Sequence, residues 1–160
     1  MMIPDLIALT GSPWDVLPPG VHATTMTEIE AKFAYNPWRR SLLSGLVDAS
    51  VSLVTAGCQT VLLDGSYVSG KPMPGDFDAC WDPAGMDFAK LDPVFADFAN
   101  GRAKQKAKFR GEFFPSTMIE TASSRAFADF FQVDRFTGKQ KGILSVSIGA
   151  DAVVARRMTS

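Results

Sequence analysis

Sulfur, histidine and net charge are all scarce in this chain. Its 160 residues include two cysteines and one histidine. Cys58 and Cys80 both lie in apolar stretches, which predicts two buried free thiols. A metal site built on sulfur and imidazole would need more ligands than these two and His22 supply. The 16 basic and 17 acidic residues leave a net charge of −1, so no global field draws the chain to nucleic acid or to a membrane surface. No apolar run reaches transmembrane length. The opening Met1-Met2-Ile3-Pro4-Asp5 lacks the basic-then-apolar order of a signal peptide. The expectation is a cytoplasmic protein without a membrane partner. Internal repeats and low-complexity tracts are also missing. What is present is ordinary for a globular chain: 46% hydrophobic and 21% charged residues, at a length that suits one domain with a proper core.

One stretch stands out. The apolar run Thr60 to Leu63 reads as a short buried strand. It stops at Asp64-Gly65-Ser66, and a loop rich in Gly and Pro follows, with Ser69 and Lys71 in it. A second strand, Asp76 to Trp81, begins with aspartates at i and i+2. Strand side chains alternate, so Asp76 and Asp78 face one way and Phe77, Ala79 and Trp81 the other. Two carboxylates on one face oppose each other's ionisation unless a cation sits between them. Hard divalent ions take such oxygen ligands. Gly65 lets the backbone approach a ligand closely, and Ser66 offers a hydroxyl. The pattern is that of a phosphate-and-metal site; the bland alternative is a hairpin loop whose aspartates cap turns. Lys71 could neutralise a triphosphate or stand idle in solvent.

Around this stretch, residues 1–25 read as an extended arm anchored by Trp14 and Leu17, with a disordered tail as the alternative. Thr27 would cap a short helix through Phe33. Asn36-Pro37 would start a longer helix to about Ala56, closed by Gly57. Arg39 and Arg40 fall in its first turn, the wrong end for the helix dipole, as a solvated helix start or an anion site. A helix from Pro93 to Ala99 is expected, capped by Asp92. Arg102, Lys104, Lys106, Lys108 and Arg110 alternate strictly. On a strand they would form one basic ridge, on a helix they would split, and a solvated segment competes with an anion-binding ridge. A strand from Phe109 to Pro115 carries Glu112 among phenylalanines, where a carboxylate needs a partner. A helix from Ser123 or Ser124 through Phe131, a polar turn at 134–142, a strand at Ile143–Ile148 and a frayed tail at 151–160 complete the order. The domain proper is residues 26–150. The fold class is α/β (α+β), a small mixed sheet with helices packed on one side.

The order Leu62-Leu63-Asp64-Gly65-Ser66, then Asp76-Phe77-Asp78, resembles the signature of nucleotidyltransferases of the DNA polymerase beta superfamily: an apolar strand, a Gly-Ser or Gly-Gly turn, a gap of about ten residues and a strand bearing acid-x-acid. Leu17-Pro18-Pro19-Gly20-Val21-His22, Gly111-Glu112-Phe113-Phe114-Pro115, Phe130-Phe131-Gln132 and Lys141-Gly142-Ile143 extend the likeness to a family of small uncharacterised prokaryotic proteins with the nucleotidyltransferase fold. The resemblance implies a third acid on a later strand. Glu112 is the candidate and Asp134 the rival. It implies that Asp76, Asp78 and Glu112 hold Mg²⁺ or Mn²⁺. Gly65 and Ser66, aided by Ser69, Lys71 and Lys141, would hold the phosphates of an NTP substrate. The implied activity moves a nucleoside monophosphate to a hydroxyl of a protein, RNA or small molecule; by analogy with other small members, the setting is a toxin–antitoxin or phage-defence operon. A catalytically silent binding or antitoxin module of the same fold is the alternative. A nucleic-acid binder using Arg102 to Arg110 is a third, disfavoured by the near-neutral charge and the lack of interleaved aromatics.

Overall fold

The computed structural model describes residues 2–160; residue 1 of the expected arm lies outside the described residues. The chain forms a mixed α/β structure around a five-stranded sheet of order β1-β7-β2-β3-β4. The strands are β1 (Gly20–Thr24), β2 (Val61–Asp64), β3 (Phe77–Trp81), β4 (Gly111–Pro115) and β7 (Gly142–Val146), with a separate hairpin of β5 (Ile119–Glu120) and β6 (Arg125–Ala126). β2 runs antiparallel to both β3 and β7, while β1 is parallel to β7 and β4 to β3. The helices are α1 (Met26–Phe33), α2 (Pro37–Thr55), α3 (Ala99–Phe109), α4 (Phe127–Phe130) and α5 (Ala152–Met158). None is long and apolar enough to cross a membrane.

α2 is the central support. The Asn36 side chain accepts from Arg39 N at 2.8 Å, and Pro37 supplies the preset φ of a first helical position. Leu42, Leu46, Ala49 and Leu53 recur at helical spacing and are completely or almost completely buried. Each buried leucine contributes about 1.5–3 kcal/mol. Gly45 lets α2 lie against the end of α3, since a Cβ there would sit 2.0 Å from the Phe109 carbonyl oxygen.

The two faces of the sheet carry different chemistry because strand side chains alternate. Val61, Leu63, Phe77, Ala79, Phe113, Leu144 and Val146 join the main core with α1, α2, α5 and the end of α3. Ile143, Cys80, Leu62 and Phe114 face the other way and pack with Phe127, Phe130 and Phe131. Helices therefore cover the first face, as expected, but the short α4 covers part of the second. Both cysteines are buried and free.

Several boundaries differ from the sequence expectation. Thr25, not Thr27, caps α1 by accepting from Glu28 N at 3.2 Å. The arm is neither loose nor merely docked: Ile7 and Val16 form a bridge, Leu17 is buried, and β1 closes an edge of the sheet. The helix expected at Pro93–Ala99 is a 3₁₀ turn at Pro93–Ala96, capped by Asp92. The alternating basic stretch is helical, so its cations spread around α3 rather than forming a ridge. β4 starts at Gly111, after Arg110 takes a left-handed cap at φ 66°. The helix expected from Ser123 shrinks to α4, because the β5–β6 hairpin uses the preceding residues. The tail expected to fray is α5, capped by Asp151 and anchored by buried Val154.

Candidate metal and phosphate site

The site grows from the register of three strands. Asp64 on β2 pairs with Asp78 on β3, and Asp78 pairs with Glu112 on β4. The three acids therefore form one row across the sheet, on the face opposite the main core. Asp76 precedes β3 and adds a carboxylate at the same end. Asp76, Asp78 and Glu112 each bring an oxygen within 4.8 Å of the others. Asp134 does not join them. It accepts from Thr137 N at 3.0 Å and Thr137 Oγ1 at 2.8 Å, and so caps the polar turn. Glu112 is thus the third acid by position.

Gly65 is the hinge between β2 and the site. Its φ is 86°, in the left-handed region that favours glycine. A Cβ there would fall 2.5 Å from Asp78 Oδ2. The close approach that glycine permits is to the site's own carboxylate. Ser66 begins a 3₁₀ turn, Ser66–Val68, and its hydroxyl makes no hydrogen bond among the described residues. Ser69 is committed to the loop: its hydroxyl donates to Ser66 O at 2.7 Å and accepts from Lys71 N at 3.2 Å. The Lys71 ammonium makes no ion pair among the described residues and lies close enough to favour ionised Asp76.

Arg39 builds this loop. The guanidinium is fully buried and donates to the carbonyls of Phe33 at 3.1 Å, Tyr67 at 2.7 Å, Ser69 and Pro72 at 3.2 Å each, and Lys71. Tyr67 returns a bond to Arg39 O at 3.2 Å. Neither sequence expectation for Arg39, a solvated helix start or an anion site, holds. The side chain satisfies backbone carbonyls that a buried loop would otherwise strand. The signal was the cation at the unfavourable end of the helix, but its partner is not readable from sequence. Trp38 adds a bond from Nε1 to Pro74 O at 2.6 Å.

Charge in the site is unevenly balanced. Burial pushes the Asp78 carboxyl well above the ordinary range, reinforced by its hydrogen bond to Glu112 and by the nearby Asp64 and Asp76 charges. Burial also raises Asp76, with Glu112 adding to the shift. Burial opposes ionisation of Glu112 too, but hydrogen bonds from Asp78, Arg102 and Lys106 outweigh it and hold Glu112 below its usual value. The contact between the two therefore favours a proton on Asp78 over one on Glu112. Glu112 Oε1 also accepts from Arg102 Nε at 3.0 Å and Nη2 at 2.6 Å, and Lys106 Nζ lies 3.1 Å away. Asp64 is raised by burial, partly offset by Lys141, whose ammonium donates to Asp64 and to Phe131 O. Lys141 lines the cleft, yet its charge already serves Asp64.

The carboxylates open into a cleft of about 650 Å³. Gly65, Ser66 and Lys71 border it near the acids, and Phe114, Phe130 and Phe136 line other parts of its wall. Three hard oxygen donors converging beside a serine turn fit a divalent cation such as Mg²⁺ or Mn²⁺ and an anionic ligand.

Comparison with known families bears on the whole of this architecture. Residues 12–147 match the DUF6932 model, described as a family of unknown function. The chain belongs to that family. The DUF6932 match spans every sheet strand and every residue of the acid cluster and stops short of α5. No curated protein and no solved structure matches the chain.

Proposed function

We propose that the protein is a metal-dependent nucleotidyltransferase with a DNA polymerase beta-like fold. The observation that carries this reading is the convergence of Asp76, Asp78 and Glu112 on one side of the Gly65-Ser66 turn. Asp76, Asp78 and Glu112 would hold Mg²⁺ or Mn²⁺, which when bound supplies Lewis-acid polarisation of the reacting phosphoryl group. The Ser66 hydroxyl and the Lys71 ammonium bind the NTP phosphates. Gly65 keeps the turn low enough for the phosphates to reach the acids. The acceptor hydroxyl oxygen attacks the α phosphorus, the bond to the bridging oxygen breaks, and pyrophosphate leaves. Glu112 or a neighbouring carboxylate would take the acceptor's proton. Lys141 holds Asp64 beneath the turn and partly offsets its charge. The acceptor is a hydroxyl of a protein, an RNA or a small molecule, and a toxin–antitoxin or phage-defence setting fits such a small transferase by analogy alone.

A second reading, a binding or antitoxin module without turnover, draws on Arg102 and Lys106 already occupying Glu112. One experiment separates the two. Labelled NTPs are incubated with the protein, Mg²⁺ or Mn²⁺ and a cell extract. Transfer of label to a macromolecule or small molecule, abolished by Glu112→Gln and retained by Asp134→Asn, supports the enzyme. NTP binding without transfer in any extract fraction supports the silent module.

A further inference from the structure

Two cations from one helix meet at one carboxylate oxygen. Lys106 lies on the regular part of α3 and Arg102 at the left-handed kink that precedes it, with φ 62°, and both reach Glu112 Oε1. Lys106 Nζ also lies 4.0 Å from Asp76 Oδ2. The other lysines of the helix have partners elsewhere: Lys104 pairs with Asp97 at 3.4 Å and Lys108 with Asp92 at 2.5 Å. Arg102 and Lys106 therefore supply positive charge to the acid cluster from inside the chain. Neither is locked in place, since their side chains are 33% and 43% exposed.

A divalent ion and these two cations compete for the same carboxylate. An ion bound to Glu112 repels a guanidinium and an ammonium held within a few ångströms of it. The released groups then stand beside the cleft with no carboxylate of their own. A phosphate chain is the partner that suits them, because the arginine fork and the lysine point charge both bind phosphate oxygens well.

We propose that Arg102 and Lys106 are exchangeable counterions. They hold Glu112 while the carboxylates carry no metal, and they turn to the substrate's phosphates once a divalent cation takes the carboxylates. The inference rests on the metal-site part of the reading above, not on transfer. It makes the phosphate site depend on the metal, so that NTP binds productively only after the ion.

Calorimetric titration tests both halves, with Mn²⁺ alone and then with inorganic tripolyphosphate at saturating Mn²⁺. The variants are Arg102→Gln with Lys106→Gln, Arg102→Lys, and Lys104→Gln as a control that removes a nearby charge without touching the acids. Melting curves check that each variant is folded. The double variant should bind Mn²⁺ at least about fivefold tighter and tripolyphosphate at least about fivefold weaker. Arg102→Lys should fall between it and the native chain, and Lys104→Gln should change neither affinity. Unchanged or weaker Mn²⁺ binding in the double variant overturns the inference, as does unchanged tripolyphosphate binding. Equal shifts in Lys104→Gln, or no Mn²⁺ binding by either the native chain or the double variant, also overturn it. These shifts without label transfer defeat the enzyme alone; transfer without these shifts defeats the exchange alone.

Discussion

Asp64 and Asp78 are neighbours in one register row and on the same face of the sheet, Asp64 buried and Asp78 half-buried. Their surroundings divide them. Asp64 has Lys141, a lysine that spends its charge on that carboxylate and one backbone carbonyl. Asp78 has two further acids, and the nearby cations pair with those, Arg102 and Lys106 with Glu112 and Lys106 at 4.0 Å with Asp76, rather than with Asp78. A closed pair of this kind maintains a fold. A cluster with surplus carboxylates is strained until a cation arrives. The row thus contains a paired half and a half with surplus carboxylates, although both begin from aspartate.

The largest effect that would sharpen this contrast is on stability. Lys141→Met leaves Asp64 buried without its partner and should cost roughly 3–5 kcal/mol. Asp76→Asn with Asp78→Asn removes like-charge repulsion and should leave the metal-free protein as stable or more stable. Urea midpoints of both variants at neutral pH make the measurement. If the double aspartate variant loses more than the lysine variant, the cluster is the structural element and the contrast is reversed.

Ligand response comes next. Mg²⁺ plus an NTP at a hundredfold excess over the dissociation constant should stabilise the native chain by about 2.7 kcal/mol. The double aspartate variant should lose that gain entirely. Thermal melts with and without ligand decide the point, and a native chain indifferent to ligand defeats the proposed function.

The contrast also explains what was legible in the sequence. The i, i+2 spacing of Asp76 and Asp78 made their shared direction readable, because alternation along an extended chain is a local rule. Glu112 was readable as a charge in an apolar run, which had to find a partner. The Asp64–Lys141 pair was not, because it joins residues 77 positions apart and only the β2–β7 pairing brings them together. Arg39 was misread for the same reason, since its carbonyl partners belong to a loop about thirty residues on. The alternating cations left strand and helix open, and α3 resolved them by pointing two at Glu112 and two at flanking aspartates. β5 and β6, two residues each, leave no periodic pattern to read.

The smallest effect is also the one that tests the electrostatics directly. Asp78 has a folded-state pKa raised well above 3.8. A carboxyl raised by folding binds its proton more tightly in the native state than in the unfolded chain. Its contribution to stability is therefore greatest below the unfolded value and is lost as pH rises through the folded value. Glu112 acts in the opposite sense: its lowered value gives stability that is present above 4.5 and lost as pH falls through the folded value. Comparing the native chain with Asp78→Asn isolates the first term. In chelator, the native-minus-variant stability should fall with rising pH above about 4, with a slope no steeper than about 1.4 kcal/mol per unit, the limit for one proton. Mn²⁺ binding to the native chain should release that proton and tighten as pH rises through the same window. A difference that is flat or rises with pH would mean that Asp78 is ionised without metal. The two acids of the row would then be alike, and the contrast between them would rest on position alone.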